Sequence, residues 1–350
     1  MEDLKKRFSS TLTKFQEINM EIWLGQSYEK FGVWDKAMAA YQKSLNLGNG
    51  ELKSDLKSEA KRYIGHIHTM KNDWGSAIES YQDCIKLCQN DGLKEGEASA
   101  LNGLAIVYFE QGQMENAQTN WEKALEIAEQ LNDTKLNAQI NTNLGVLMSM
   151  LGSWEQALGY YAKGLTLFEQ IGEDRGVAEA YHNLGMVYSD MQKWPEANEV
   201  YSKSFKIAKG IGDIRLQAMV LLNRVELYTN INDPYVGLAL GNQALKTFLQ
   251  LEDHLGEAET YKFMGALYTR IGKWELATTY FNNCIYLAEK YKNPLLEAEA
   301  HFEYGTMYKV KENKEMAKQH FNKALAKFKD LKAENDIEKV QKCLDALNKN

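Results

Sequence analysis

Trp34, Trp74, Trp154, Trp194 and Trp274 lie 40 or 80 residues apart. A fixed period of this length limits a chain to architectures built from one supersecondary unit stacked on copies of itself. Nine residues before the tryptophan column stand Gly25, Gly65, Ala105, Gly145, Gly185, Val225, Gly265 and Gly305. Twelve after that small column come Ala37, Ala77, Ala117, Ala157, Ala197, Gly237, Ala277 and Ala317. Four further on lie Tyr41, Tyr81, Trp121, Tyr161, Tyr201, Gly241, Phe281 and Phe321, and then Leu45, Ile85, Leu125, Leu165, Phe205, Leu245, Ile285 and Leu325. No insertion disturbs this register from residue 18 to residue 331.

Each unit reads as two helices. Ala138, Leu144, Leu147 and Met148 recur at helical spacing, Gly152-Ser153 interrupts them, and Ala157, Tyr161, Leu165 and Phe168 resume it. Ser153 is the expected N-cap of the second helix. Gly172 and Gly212 mark the next break, and Asp133, Glu173, Asp213, Asp253 and Asn293 follow it as expected helix starts. Only Pro195, Pro234 and Pro294 interrupt the chain's 350 residues, so long helices are permitted nearly everywhere. Helices whose axes approach to about 8–10 Å need small residues at the contact, the role expected of Gly145 and Ala157. Tyr161 is expected to fill space toward the following repeat.

The run Leu184-Gly185-x2-Tyr188 with Ala197 and Tyr201, and Gly265-x2-Tyr268 with Ala277 and Phe281, resembles the tetratricopeptide signature. The resemblance implies an all-α fold: an α-α superhelix of eight 40-residue helix pairs, at residues 17–331, with terminal capping helices. The usual unit of that family is about 34 residues and ends in proline. Six extra residues add about three per helix, roughly 4.5 Å each. This longer form is similar to the repeats of LGN/Pins-type adaptors, rapsyn-type proteins and Rap-type regulators.

Residues 1–16 carry Leu4, Phe8, Leu12 and Phe15 at helical spacing, as a half-repeat cap or an extension of the first helix. Residues 332–350 hold Ile337, Val340, Leu344 and Leu347 among charges, the pattern of a capping helix with one wet face. Repeat six departs from the columns at Val225, Gly237 and Gly241. Two helix-interior glycines cost about 1 kcal/mol each relative to alanine. They predict a locally weak repeat, or a hinge or space kept for a partner. Asp233-Pro234 still begins a helix there.

A net charge of −7 argues against nucleic acid or an anionic membrane as the main partner. No apolar run suits a spanning helix, and MEDLKKRFSS shows no secretory signal. Four cysteines are too few and scattered for a disulfide framework, so a reducing cytoplasm is expected. Cys84 and Cys88 fall in core columns, and no catalytic or metal-binding motif appears. The expectation is no enzyme, no cofactor and no metal.

The resemblance places the first helix of each pair on a concave face. Its inward residues fall six, three and two before the small column, and one, four and five after it. Asn143, Asn183 and Asn223 occupy one such position in three consecutive repeats. Amides donate to and accept from a peptide backbone, and related 40-residue repeats hold extended partners this way. The alternative is that each amide bonds a neighbouring helix. Val146, Met150, His182, Met186 and Leu222 surround them, apolar and flexible enough for a peptide's anchors. Among inferred inward residues, Glu59, Glu179, Glu226, Glu259 and Glu299 outnumber Arg62, Lys262 and Arg270, which favours a basic partner. Gln139, Glu179 and Met219 stand where a carboxylate clamp needs lysine, so chaperone-tail binding is disfavoured. The reading is a protein-binding scaffold. The alternative is a peptide-sensing receptor, although Rap-type receptors carry an N-terminal bundle for which residues 1–16 offer little room. Nothing in the sequence specifies the oligomeric state.

Overall fold

The computed structural model describes residues 13–48 and 53–349. Among them are 17 α-helices and no strand. The first unit, through Gly172, holds four pairs. These are α1 (Lys14–Lys30) and α2 (Trp34–Leu47), α3 (Ser54–Met70) and α4 (Trp74–Asp91), α5 (Lys94–Glu110) and α6 (Met114–Leu131), and α7 (Thr134–Met150) and α8 (Trp154–Gln170). The second, from Glu173, holds four more: α9 (Asp174–Asp190) and α10 (Trp194–Gly210), α11 (Ile214–Asn230) and α12 (Pro234–Leu251), α13 (His254–Arg270) and α14 (Trp274–Lys290), and α15 (Pro294–Val310) and α16 (Lys314–Asp330). A last helix, α17 (Glu334–Lys349), follows. None of these helices is long and apolar enough to cross a membrane.

Among the described residues, one left-handed residue sets each turn within a pair and each turn between pairs from the second pair onward. Within pairs it falls at Gly32, Asn72, Gly112, Gly152, Gln192, Asn232, Gly272 and Glu312; between pairs it falls at Gly92, Asn132, Gly172, Gly212, Glu252, Lys292 and Lys332. From Asn72 to Lys332 this left-handed position recurs every 20 residues, although the turns around it span two or three residues, and that fixed spacing holds the register. Asp73, Asp133, Asp213, Asp233, Asp253, Asn293 and Asn313 each accept a backbone N–H in the first turn of the helix that follows. Ser153 and Glu173 hold the N-cap position without making that bond, contrary to expectation. The serine hydroxyl is one bond shorter than the carboxylate that reaches at Asp73 in a similar backbone conformation, and glutamate is one methylene too long.

The small column receives the aromatic of its own repeat. A Cβ on Gly185 would lie 2.4 Å from the Tyr201 ring, and one on Gly145 2.7 Å from Tyr161. Tyr161 thus packs inside its own pair, where the sequence reading sent it toward the next. Tyr81 does both, since a Cβ on Gly103 would also meet its ring, at 2.5 Å. Cys84 and Cys88 are fully buried core residues, and Cys84 Sγ donates to the Ser58 carbonyl at 3.2 Å.

Repeat six inverts the arrangement. Val225 is fully buried, and a Cβ on Gly241 would stand 3.8 Å from its Cγ2 and 3.0 Å from Met264 Cγ. A Cβ on Gly237 would lie 2.8 Å from Leu267 Cδ1. Bulk has moved from the second helix to the first, and α13 has closed on the glycines. The space is filled by the chain itself, which corrects the expectation that it is kept for a partner. At the far end Val340, Leu344 and Leu347 of α17 pack with Phe321 and Phe328 of α16. Leu4, Phe8 and Leu12 lie outside the described residues, whereas Phe15 sits in the first turn of α1.

Candidate functional site

The residues singled out from sequence divide between the two units. In the first, Asn143 Nδ2 donates to Asn102 Oδ1 at 3.1 Å, and Trp121 Nε1 donates to the same oxygen at 3.0 Å. This amide is therefore tied to α5 and α6. Val146 is half-buried and Met150 exposed.

In the second unit Asn223 Nδ2 donates to His182 Nε2 at 2.9 Å, which leaves the ring proton on Nδ1. Burial pushes the His182 pKa down to about 4, against a hydrogen bond with Asn183 that raises it. His182 and Leu222 are 5% and 8% exposed. Both are core residues, which corrects their reading as groove lining: Leu222 packs with Val225 and Phe248. The inward offsets assume a straight helix seen from the axis, and these two side chains turn toward neighbouring helices instead. Asn183 is half-buried and Met186 exposed. Met186 and Asn223 line a small pocket of about 130 Å³ with Tyr201 and Asp190.

That pocket shares Glu226 and Asn230 with a groove of about 790 Å³. The groove runs along the first helices of repeats six to eight. Its wall is Glu226, Thr229 and Asn230 of α11; Lys262, Phe263, Ala266, Thr269 and Arg270 of α13; and Glu299, Phe302, Glu303, Thr306 and Val310 of α15. All thirteen fall at the inward offsets. Trp274 contributes from α14, and Asp336, Lys339 and Val340 of α17 bound the groove at the C-terminal side. Sequence reasoning had the register for this site and named four of its charged residues. It favoured the asparagine column instead, because a repeated amide is visible as a pattern and a varied wall is not.

The electrostatics are set by a cation among carboxylates. Burial alone would depress the Lys262 ammonium, but Glu299 Oε2 at 2.5 Å, with Glu259 and Glu226, raises it above its ordinary value. Glu226 keeps a side open to solvent, yet the surrounding walls, with Asp190, Glu259 and Glu299, hold its carboxyl above the usual range against the pull of Lys262. Glu303, half-buried, is raised chiefly by burial, opposed by Lys262 and Arg270. Glu226 and Glu303 make no hydrogen bond or ion pair of their own. Arg270 Nη1 donates to Asn232 Oδ1 at 2.8 Å, and Lys339 pairs with Asp336 at 3.1 Å. The first unit has a smaller pocket of about 470 Å³, where Glu59 and Arg62 face Lys94 and Glu95.

The tetratricopeptide-repeat family pattern matches residues 96–170 and 136–210, and a second pattern of the same family matches residues 22–47. No curated protein sequence matches the chain. Solved structures do. The apo quorum sensor NprR from B. thuringiensis is 18% identical with a TM-score of 0.62, covering 81% of this chain and 80% of its own. A Rap protein complexed with competence and sporulation factor is 12% identical at 0.62, covering 95% and 98%. A tetratricopeptide repeat protein from Parabacteroides merdae is 20% identical at 0.57, covering 84% and 99%. At such identities the likeness is one of fold.

Proposed function

We propose that this chain, a tetratricopeptide-repeat protein, is a binding scaffold whose second unit holds an extended peptide segment in the groove of repeats six to eight. The observation that carries the reading is the wall itself. Three successive first helices form it, Phe263 from α13 and Phe302 and Thr306 from α15 standing beside the unpaired carboxylates Glu226 of α11 and Glu303 of α15, in a trough of about 790 Å³. That volume is in the range of sites that enclose small ligands or several side chains. Mixed apolar and polar lining suits a segment with greasy anchors and a backbone to be hydrogen-bonded.

The test fills the groove. Thr306→Trp should place a bulky ring among Phe302, Glu303 and Val310, whereas Gln319→Trp on the exposed face of α16 should not. Peptides selected by display against the unmodified chain should lose binding to the first variant and keep it with the second, at similar melting temperatures. Retained binding by Thr306→Trp sinks the assignment.

A second reading, a receptor that changes shape on binding a signal peptide, draws support from one structural neighbour, a Rap protein solved with competence and sporulation factor. Solution scattering of the chain with and without a selected peptide separates the two. An unchanged profile favours a passive scaffold, and a shifted one a receptor.

A further inference from the structure

We propose that the groove of repeats six to eight selects segments that carry a lysine or arginine side chain between apolar residues, with Glu226 and Glu303 holding the cation. The inference rests on the peptide-binding reading above and gives it a specificity.

The cations of the groove are already engaged. Lys262 is paired with Glu299 at 2.5 Å and Lys339 with Asp336 at 3.1 Å, while Arg270 donates to Asn232. Glu226 and Glu303 are left over, on α11 and α15, the first helices on either side of α13 in the same trough. Glu303 is half-buried and has lost part of its water without gaining a partner, whereas Glu226 stands exposed on the wall; a ligand ammonium or guanidinium would relieve the first and pair with the second. The raised carboxyl of Glu303, pushed up chiefly by burial, is the expected signature of that state, and acidic neighbours Asp190, Glu259 and Glu299 add to the push on Glu226.

The apolar wall fits the same ligand. Phe263, Phe302 and Val310 offer surface for the methylene stem of a long cationic side chain. Lys262 Nζ already lies 4.6 Å from the Phe263 ring centroid, so the wall accommodates a cation over an aromatic face. An anionic ligand is disfavoured, because Lys262 is hemmed by Glu226, Glu259 and Glu299.

Proton linkage follows from the geometry. The charged groups around the two carboxylates are Asp190 on α9, Glu259, Lys262 and Arg270 on α13, Glu299 on α15, and Asp336 with Lys339 on α17. Among them Lys262 and Arg270 pull the carboxyls down, and burial and the acidic neighbours push them up. A bound cation favours the ionised carboxylates, so binding should release protons and strengthen as pH rises through their raised values.

The test uses the full chain and degenerate decapeptide pools, acetylated and amidated, with one central position fixed as Arg, Lys, norleucine or Glu. Fluorescence polarisation in low salt should show the Arg and Lys pools binding about tenfold tighter than norleucine, the scale of one charge-assisted hydrogen bond. That advantage should shrink as pH falls and collapse in Glu303→Gln and Glu226→Gln, both nearly isosteric. Equal binding of Arg and norleucine pools overturns cation selection while leaving the peptide groove standing. Preference for the Glu pool overturns it in favour of an anion on Lys262 and Arg270. Failure of every pool removes the peptide reading itself. An Arg preference that survives in both glutamine variants moves the cation to a different site.

Discussion

If repeat six is an inverted packing of the common unit, it can be turned back. Val225→Gly removes a fully buried side chain, worth about 1.5–3 kcal/mol. It also adds the cost of a helical glycine, so the single variant should lose about 2–4 kcal/mol. Gly241→Tyr alone drives a ring into Met264, already 3.0 Å from where a Cβ would stand, and into Val225 at 3.8 Å. Overpacking of that kind costs about 1–3 kcal/mol. Together the two changes recreate the pair seen at Gly185 and Tyr201, where the ring lies on the glycine. The double variant should therefore be more stable than the sum of its parts by about 1–3 kcal/mol, with a residual deficit because Met264 still occupies part of the site. Repeat arrays unfold in parts, so the assay is hydrogen exchange of α11 and α12 against denaturant, resolved by peptide mass. Additive single costs, or a silent Gly241→Tyr, would refute the idea that bulk was exchanged between the two helices.

Gly145→Leu and Ala157→Leu should each destabilise the first unit by about 1–3 kcal/mol, since one meets the Tyr161 ring and the other a fully buried contact; unchanged thermal melts would misplace the small columns. His301 and His320 face each other at 3.1 Å between Nδ1 atoms, and burial, with Lys323 and, at His301, the other ring and Lys327, pushes both down to about 4. Unfolded imidazoles titrate near about 6.5, so the unfolded chain gains protons first, and repeat eight should weaken as pH falls from about 6.5 toward 4. Melting temperatures of the His301→Gln/His320→Gln variant should fall less over that window than those of the parent, and parallel curves would sink the claim. Asn223→Ala should lower stability by about 1 kcal/mol through its lost bond to His182, measured by denaturant midpoint, and a stability-neutral change would return this amide to a purely ligand-facing role.

The fold was legible because its information is redundant. Seven copies of a small residue, an alanine and an aromatic at fixed offsets leave few ways to place a helix, and the left-handed turn residues at matching positions keep all eight repeats in phase. What the columns could not convey was which partner each residue meets. Tyr161 was read as reaching toward the next repeat, yet, like Tyr201, it covers the glycine of its own pair. Repeat six looked deficient because single columns were compared with their own averages. The compensation runs between columns, from Gly241 to Val225 and from Gly237 to Leu267, which no single column records.

The site was half legible for a related reason. Offsets along the first helix located the groove wall, since helical geometry fixes which side chains share a face. They could not tell a wall residue from one that turns into the next helix, and so His182 and Leu222 entered the list beside Met186. Nor does sequence reveal which charges are spent. Glu299 and Glu303 are four residues apart on one helix and look alike in the sequence, but Lys262 engages the first and leaves the second without a partner. That distinction depends on the length of a lysine stem reaching from α13 to α15. A neutral substitution at Lys262 should therefore do more than remove one charge. Lys262→Met keeps the stem and deletes the ammonium, which frees Glu299 to join Glu226 and Glu303 as an uncompensated carboxylate. The groove should then prefer cationic peptides more strongly than the parent does, and a weaker preference would mean that Lys262 itself contacts the ligand.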